Sequence, residues 1–114
     1  DMPEKIKIII DRPLGTAHPN HPDILYPVNY GYIPGVTGGD GEEQDVYLLG
    51  VNEPAAEYEA VLIAVIHRLD DVEDKWVAAP EGVAFTKAEI INTVHFQEQY
   101  FKSEITMIKQ TGGE

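Results

Sequence analysis

Every apolar run before residue 80 is short, β-branched or alternating, and the one strong helix signal comes after all of them. A chain written in that order must settle its strands into a sheet and lay a single helix on it. Lys5-Ile6-Lys7-Ile8-Ile9-Ile10-Asp11 starts by alternating and is β-branched, which predicts a strand. Tyr26–Ile33 is aromatic and extended in character, with Gly31 permitting close approach of another backbone. Asp45–Val51, Glu57–Arg68 and Lys75–Ala79 read as further strands. Arg12–Asp23 carries three prolines, a glycine and an asparagine, and Pro34–Gly41 carries four glycines and a proline, so both are expected to be loops. Thr86-Lys87-Ala88-Glu89 fits a capping box, which starts a helix running to about Lys102. Gly112 and Gly113 then mark a loose end. The expected fold class is α+β, mainly β with one helix: a small, OB-like β-barrel with the C-terminal helix packed on it, in one domain over residues 1–114. An open antiparallel sheet with one helix is the competing layout.

Charge narrows the partners. Lys and Arg total 8 against 20 Asp and Glu, for a formal net charge of −12. Nucleic acids and anionic membranes need clustered positive charge and are poor partners for such a chain. A collector of cations fits it better. The absence of cysteine excludes disulfides, zinc–thiolate sites and thiol catalysis. The longest apolar run, Ala60–Ile66, is too short to span a bilayer, and Asp1-Met2-Pro3-Glu4-Lys5 lacks a signal-peptide layout. A cytoplasmic location is the expectation.

Chemistry concentrates in two acidic stretches. In Asp40-Gly41-Glu42-Glu43-Gln44-Asp45, the residues Asp40 and Glu42 are two apart and project to one side of an extended backbone, and Asp45 follows where a strand begins. Carboxylates held together repel and need compensation, which a hard divalent cation such as magnesium supplies. A solvated acidic turn is the plain alternative. Asp70, Asp71, Glu73 and Asp74 sit at the tip between two strands, where a hydrated hairpin is again the plain reading. Lysines are few, so Lys7, Lys75 and Lys102 stand out as ligands for a charged anion, with Tyr30, Tyr32 and Tyr100 as hydroxyl donors. A surface position is the plain reading of each lysine, and a core-edge position that of each tyrosine. His18 and His21, in His-Pro-Asn-His-Pro, form a weak metal signal in a rigid loop, and His67 and His95 require no chemistry.

Tyr26-Pro27-Val28-Asn29-Tyr30-Gly31-Tyr32-Ile33 resembles the Tyr-Pro-x-Asn-Tyr-Gly-Tyr-Ile segment of the soluble family I inorganic pyrophosphatases. After a loop of the same length, Asp40-Gly41-Glu42-Glu43-Gln44-Asp45-Val46 resembles that family's Asp-x-Asp-x-x-Asp signature with one substitution. Further on, Ala64–Asp70 is similar to the strand delivering a fourth metal-binding aspartate, Lys75–Pro80 to the strand of a phosphate-binding lysine, and His95–Tyr100 to the segment of a phosphate-binding tyrosine. Ile6-Lys7-Ile8 resembles the strand of another phosphate-binding lysine.

The resemblance implies hydrolysis of inorganic pyrophosphate to two phosphates by a metal-activated water, with Mg2+, or Mn2+ in its place, as cofactor. It places the metal ligands at Asp40, Asp45, Asp70 and Asp74, with Glu73 competing for the last position because it lies two residues before Lys75. It places the water's base at Glu42 and the phosphate ligands at Lys7, Tyr30, Lys75, Tyr100 and Lys102. Family members from bacteria are commonly homo-oligomers. This sequence also departs from the pattern. The hairpin before Lys75 is about two residues short, and Phe101 displaces the lysine that normally follows the tyrosine. Ile9 replaces an acidic residue, His-Pro-Asn-His-Pro-Asp stands where an active-site arginine is expected, and no stretch matches an early active-site glutamate. Glu42 stands for a central aspartate, and a shift of about 1 Å at such a position can cost much of the rate. Hydrolysis of another small diphosphate, or a metal-binding relative without turnover, are the alternative expectations.

Overall fold

The order of elements in the computed structural model, which describes residues 5–108, is β1 (Lys5–Arg12), β2 (Ala17–His18), β3 (His21–Leu25), β4 (Asn29–Thr37), β5 (Glu43–Leu48), β6 (Glu57–Arg68), β7 (Asp74–Ala79), α1 (Lys87–Glu98) and β8 (Ser103–Met107). The expectations for Asp1–Glu4 and for Gly112–Gly113 lie outside the described residues. No helix among the described residues is long and apolar enough to cross a membrane.

The long strand β6 decides between barrel and open sheet. One of its edges pairs with β7 along residues 61–67. The other edge serves two partners end to end, β1 on residues 57–61 and β8 on residues 64–68. Because β1 also pairs with β4, β4 with β5, and β5 with β7, the pairing of β1 with β6 closes a five-strand ring. All pairs are antiparallel except β5 with β7. The result is the expected barrel, and the open sheet is excluded.

Closure leaves two apolar layers. Ile8, Ile10, Ile33, Val46, Leu48, Ala60 and Ala78 fill one cluster. Tyr47, Leu49, Ile63, Ile66, Val77 and Ala79 form the other, with Ile90 and Val94 of α1 packed among them. Neighbouring residues of β5 and β7 therefore point into different layers and are buried on both faces, which explains why these strands read as continuous apolar runs.

Helix α1 begins with the anticipated cap: Thr86 Oγ1 accepts from the Glu89 N–H at 3.1 Å and Glu89 Oε1 accepts from the Thr86 N–H at 2.8 Å. It ends at Glu98, with Gln99 as C-cap, and not near Lys102. The Phe101 N–H reaches back three residues to the Glu98 carbonyl at 3.0 Å, and this tighter turn feeds the chain into β8, a strand that the sequence reading did not assign. Arg12–Asp23 is likewise not wholly loop, since β2 and β3 pair as a hairpin. Pro22 is tolerated there because a two-stranded ribbon leaves each strand one unpaired edge. Strand β4 also continues through Pro34 and Gly35 to Thr37, across a break in register.

Gly31 lies opposite Ile10 on β1. A Cβ there would stand 1.9 Å from the Ile9 carbonyl oxygen, a backbone atom that cannot turn aside. Gly31→Ala is predicted to destabilise the fold by about 1–3 kcal/mol, as overpacking does. Urea unfolding should show a lower midpoint at unchanged slope.

Candidate active site

Three chain segments meet at one end of the barrel: the end of β1, the β2–β3 hairpin and the turn after α1. Between them and the β5 and β7 residues Asp45 and Lys75 opens a pocket of about 350 Å³. Its lining is Asp11, Arg12, His18, Asn20, His21, Tyr30, Asp45, Arg68, Lys75, Gln97, Tyr100 and Phe101.

The base of the pocket is a buried polar chain. Helix α1 turns an apolar face inward at Ile90 and Val94, but one turn after Val94 the same face carries Gln97 and Glu98, both buried. Glu98 accepts from Arg68 through both oxygens, Oε1 from Nε at 3.1 Å and Oε2 from Nη2 at 2.7 Å. The Tyr47 hydroxyl also donates to Glu98 Oε2, at 2.7 Å, and accepts from Gln97 Nε2 at 2.6 Å. Gln97 Oε1 then takes the Tyr26 hydroxyl at 3.1 Å and His18 Nε2 at 3.0 Å. His18 Nδ1 accepts from the Asn20 N–H at 3.1 Å, so the network assigns the neutral imidazole with its proton on Nε2. Both nitrogens of His18 are thereby committed, which removes it as a metal ligand. His21 instead stacks on Tyr100, ring centroids 4.7 Å apart.

Lys75 is the central cation, buried, with Nζ on Asp45 Oδ2 and 3.0 Å from Glu73 Oε1. Burial works against its charge, but Tyr30 and Asp45 outweigh that and raise its pKa, so Lys75 is an ammonium throughout the physiological range. Burial pushes the Tyr30 and Tyr47 hydroxyls well above the usual phenol range, which keeps both protonated as donors. Burial opposes the Arg68 guanidinium too, and Glu98 more than offsets it. Burial raises the Asp11 carboxyl. Asp40 is held below the ordinary carboxylate range first by a hydrogen bond from Glu73, and Glu73 is raised above it, chiefly by burial. These two carboxyls come near one another because the glycine-rich loop runs against the hairpin tip: a Cβ on Gly39 would stand 2.2 Å from the Val72 carbonyl oxygen.

Of the residues singled out in the sequence, Tyr30, Asp45, Lys75 and Tyr100 share the pocket. Asp40 is outside the lining and is connected to it through Glu73, which pairs with Lys75. Glu42 is exposed on the same loop and gives its backbone N–H to Asp40 Oδ1 at 3.0 Å. Just before and at the start of β7, Glu73 turns toward Lys75 and Asp74 away from it, onto His67 at 3.1 Å. Asp70 is exposed and accepts from the Lys102 backbone N–H at 3.3 Å, and the Lys102 side chain is not among the pocket's lining. Lys7 pairs with Glu57 at 3.2 Å in a separate shallow depression beside Tyr58 and Glu59. Asp11, Arg12, Arg68 and Gln97 are pocket residues that the sequence reading passed over. Counting turns from Ile90 would have placed Gln97 on the inward face; no comparable signal marks Arg68.

Removing one member of a buried ion pair strands the other. Glu98→Gln is predicted to cost about 3–5 kcal/mol in chemical denaturation, and adding Arg68→Met to it should recover part of that loss.

The chain has measurable relatives. The family model described as inorganic pyrophosphatase matches residues 3–107. An inorganic pyrophosphatase from Aeropyrum pernix is 37% identical over 84 residues, 71% of this chain. That alignment spans 42% of the length of the relative. A crystal structure of inorganic pyrophosphatase from Ehrlichia chaffeensis superposes with a TM-score of 0.72 at 21% identity, covering 95% of this chain and 88% of the other. One from Neisseria gonorrhoeae does so with a TM-score of 0.61 at 24% identity, covering 84% and 73%. At those identities the superpositions speak for the fold. The barrel and the family match over nearly its whole length together show that this chain belongs to the inorganic pyrophosphatase family.

Proposed function

We propose that this chain hydrolyses inorganic pyrophosphate to two phosphates in a magnesium-dependent reaction, by direct attack of a metal-activated water. The observation that carries the reading is the pocket in which Asp45, Lys75 and Tyr30 meet beside the Asp40–Glu73 pair.

The donors suit the ion. Every carboxylate at the pocket and its rim offers oxygen, the ligand that magnesium prefers. Among the described residues no three acidic or histidine side chains already surround a common point. Two partial sets are nevertheless in place. Asp40 and Glu73 influence each other's carboxyl, Asp40 being lowered and Glu73 raised, and Asp45 and Glu73 are joined through Lys75. Asp40, Asp45 and Glu73 are therefore the ligands we assign. When bound, magnesium polarises the phosphoryl group and acidifies a coordinated water.

The protein does the rest. The Lys75 ammonium and the Tyr30 and Tyr100 hydroxyls bind phosphate oxygens and stabilise charge on the leaving phosphate. Glu42, on the loop that brings Asp40 to the rim, takes the proton of the attacking water. Lys7, Asp70, Asp74 and Lys102 have no part in this scheme, because their side chains are engaged or exposed elsewhere. With a net charge of −12, the chain selects the magnesium complex of pyrophosphate over the free anion.

Phosphate release from pyrophosphate should require magnesium and stop on chelation. Lys75→Ala should lower kcat about 10²- to 10³-fold, the loss typical of one preorganised charge donor. A protein that releases no phosphate from pyrophosphate at millimolar magnesium refutes the reading. Metal affinity should also climb as pH rises through the raised pKa of Glu73. The proton held by that carboxyl must leave before the ion can bind, so acid competes with metal. Glu73→Gln should weaken binding and flatten the pH dependence in calorimetric titrations.

A further inference from the structure

We propose that Arg12 is a substrate-binding residue, the guanidinium that grips a phosphate of the magnesium-bound diphosphate. This rests on the reading of the pocket given above and adds a residue that neither composition nor motif singles out.

Four observations converge on it. The first is backbone geometry. Along β1 and β4 the partners run Ile9 with Tyr32, Ile10 with Gly31, and then Arg12 with Tyr30. Strand β1 advances two residues where β4 advances one, which is a β-bulge with Asp11 as the extra residue. In a regular strand Asp11 and Arg12 would face opposite ways. Here both line the same pocket. Bulges serve to re-aim a side chain, and this one delivers Arg12 beside Tyr30.

The second is orientation. Arg12 Nη1 donates to the Tyr26 hydroxyl at 3.1 Å, and that hydroxyl donates onward to Gln97 Oε1 at 3.1 Å. Tyr26 is almost fully buried and Gln97 is buried, so the guanidinium is tethered to a fixed point. The third is charge. The pocket contains three cations, and two of them are neutralised: Arg68 by Glu98, with Glu73 and Asp71 nearby, and Lys75 by Asp45 and Glu73. Among the described residues Arg12 has a phenol as its hydrogen-bond partner and no carboxylate in ion-pair contact, the neighbouring Asp11 acting on it only through its field. Among the described residues its Nε and Nη2 groups make no hydrogen bond. The fourth is chemistry: a planar fork with free N–H groups matches two oxygens of a phosphate, which a point charge does not.

The test uses the full chain and imidodiphosphate, a non-hydrolysable pyrophosphate analogue, with magnesium in calorimetric titrations. Arg12→Ala and Arg12→Gln should weaken analogue binding about 10- to 100-fold, the scale of one charge-assisted hydrogen-bonded contact. The glutamine variant keeps a donor for Tyr26, so its loss reports the missing charge and not a disordered pocket. Arg12→Lys should recover part of the affinity, and free guanidinium ion at non-denaturing concentration should partly rescue Arg12→Ala. In the hydrolysis assay, KM for pyrophosphate should rise in parallel. If Arg12→Gln and Arg12→Ala bind the analogue as tightly as the wild type and keep its KM, the proposal is overturned while the hydrolytic reading stands. If the wild type binds the analogue through Arg12 but releases no phosphate, the proposal stands and the hydrolytic reading fails. If the wild type does not bind the analogue at all, both fall.

Discussion

The Arg68–Glu98 pair fastens the helix to the barrel and sets the base of the pocket in the same act. Both members are buried, one at the end of β6 and the other in the last turn of α1. An isolated charge in that position would be costly to desolvate, and the pair is tolerable because nearly every valence is used. Glu98 receives two donors from Arg68 and one from Tyr47, and the Arg68 guanidinium also lies 3.7 Å from the centroid of the Phe101 ring. Among the described residues no buried side-chain polar atom lacks a partner. The network gives the helix one register against the sheet, because sliding it by a residue would leave Gln97, Glu98 and Arg68 buried without partners.

From that base, positional information passes outward. Gln97 fixes His18 and Tyr26, His18 fixes the hairpin through the Asn20 N–H, and Tyr26 fixes Arg12. The hairpin with its two histidines is therefore architecture. His18 is a neutral connector, and His21 supports Tyr100 by stacking. Tyr100 is half exposed and Tyr30 almost fully buried, so the pocket has one rigid hydroxyl and one at its lip.

Most of the barrel was legible because its strands are separated by unmistakable punctuation and the helix opens with a capping box. What escaped the reading depends on contacts distant in sequence. Strand β8 is five residues long and exists by pairing with β6 some forty positions earlier, which no local pattern announces. Tertiary pairing also overrode the proline signal in the β2–β3 hairpin. In the site, Tyr30, Asp45, Lys75 and Tyr100 were visible through motif and spacing. The choice between Asp74 and Glu73 was a choice between residue type and strand period, and in this fold the period determines which side chain faces Lys75. Asp11 and Arg12 were invisible because a bulge changes which face a residue occupies without changing the sequence pattern that precedes it.

Charge distribution reconciles an acidic chain with an anionic guest. Of 8 Lys and Arg residues, Arg12, Arg68 and Lys75 all line this one pocket. Net charge governs the far field, but screening limits it to roughly a Debye length, about 8 Å at physiological salt. Within that distance a phosphate bound as proposed would meet the pocket's own groups. Lys75 and Arg68 are largely compensated there by carboxylates in ion-pair contact, whereas Arg12 has none in such contact and feels only the neighbouring Asp11. In the proposed reaction, magnesium at Asp40, Asp45 and Glu73 would add further positive charge. The acidic surface and the basic interior thus act at different ranges. In the proposed reaction the first would concentrate metal around the protein, and the second would accept the metal-laden anion.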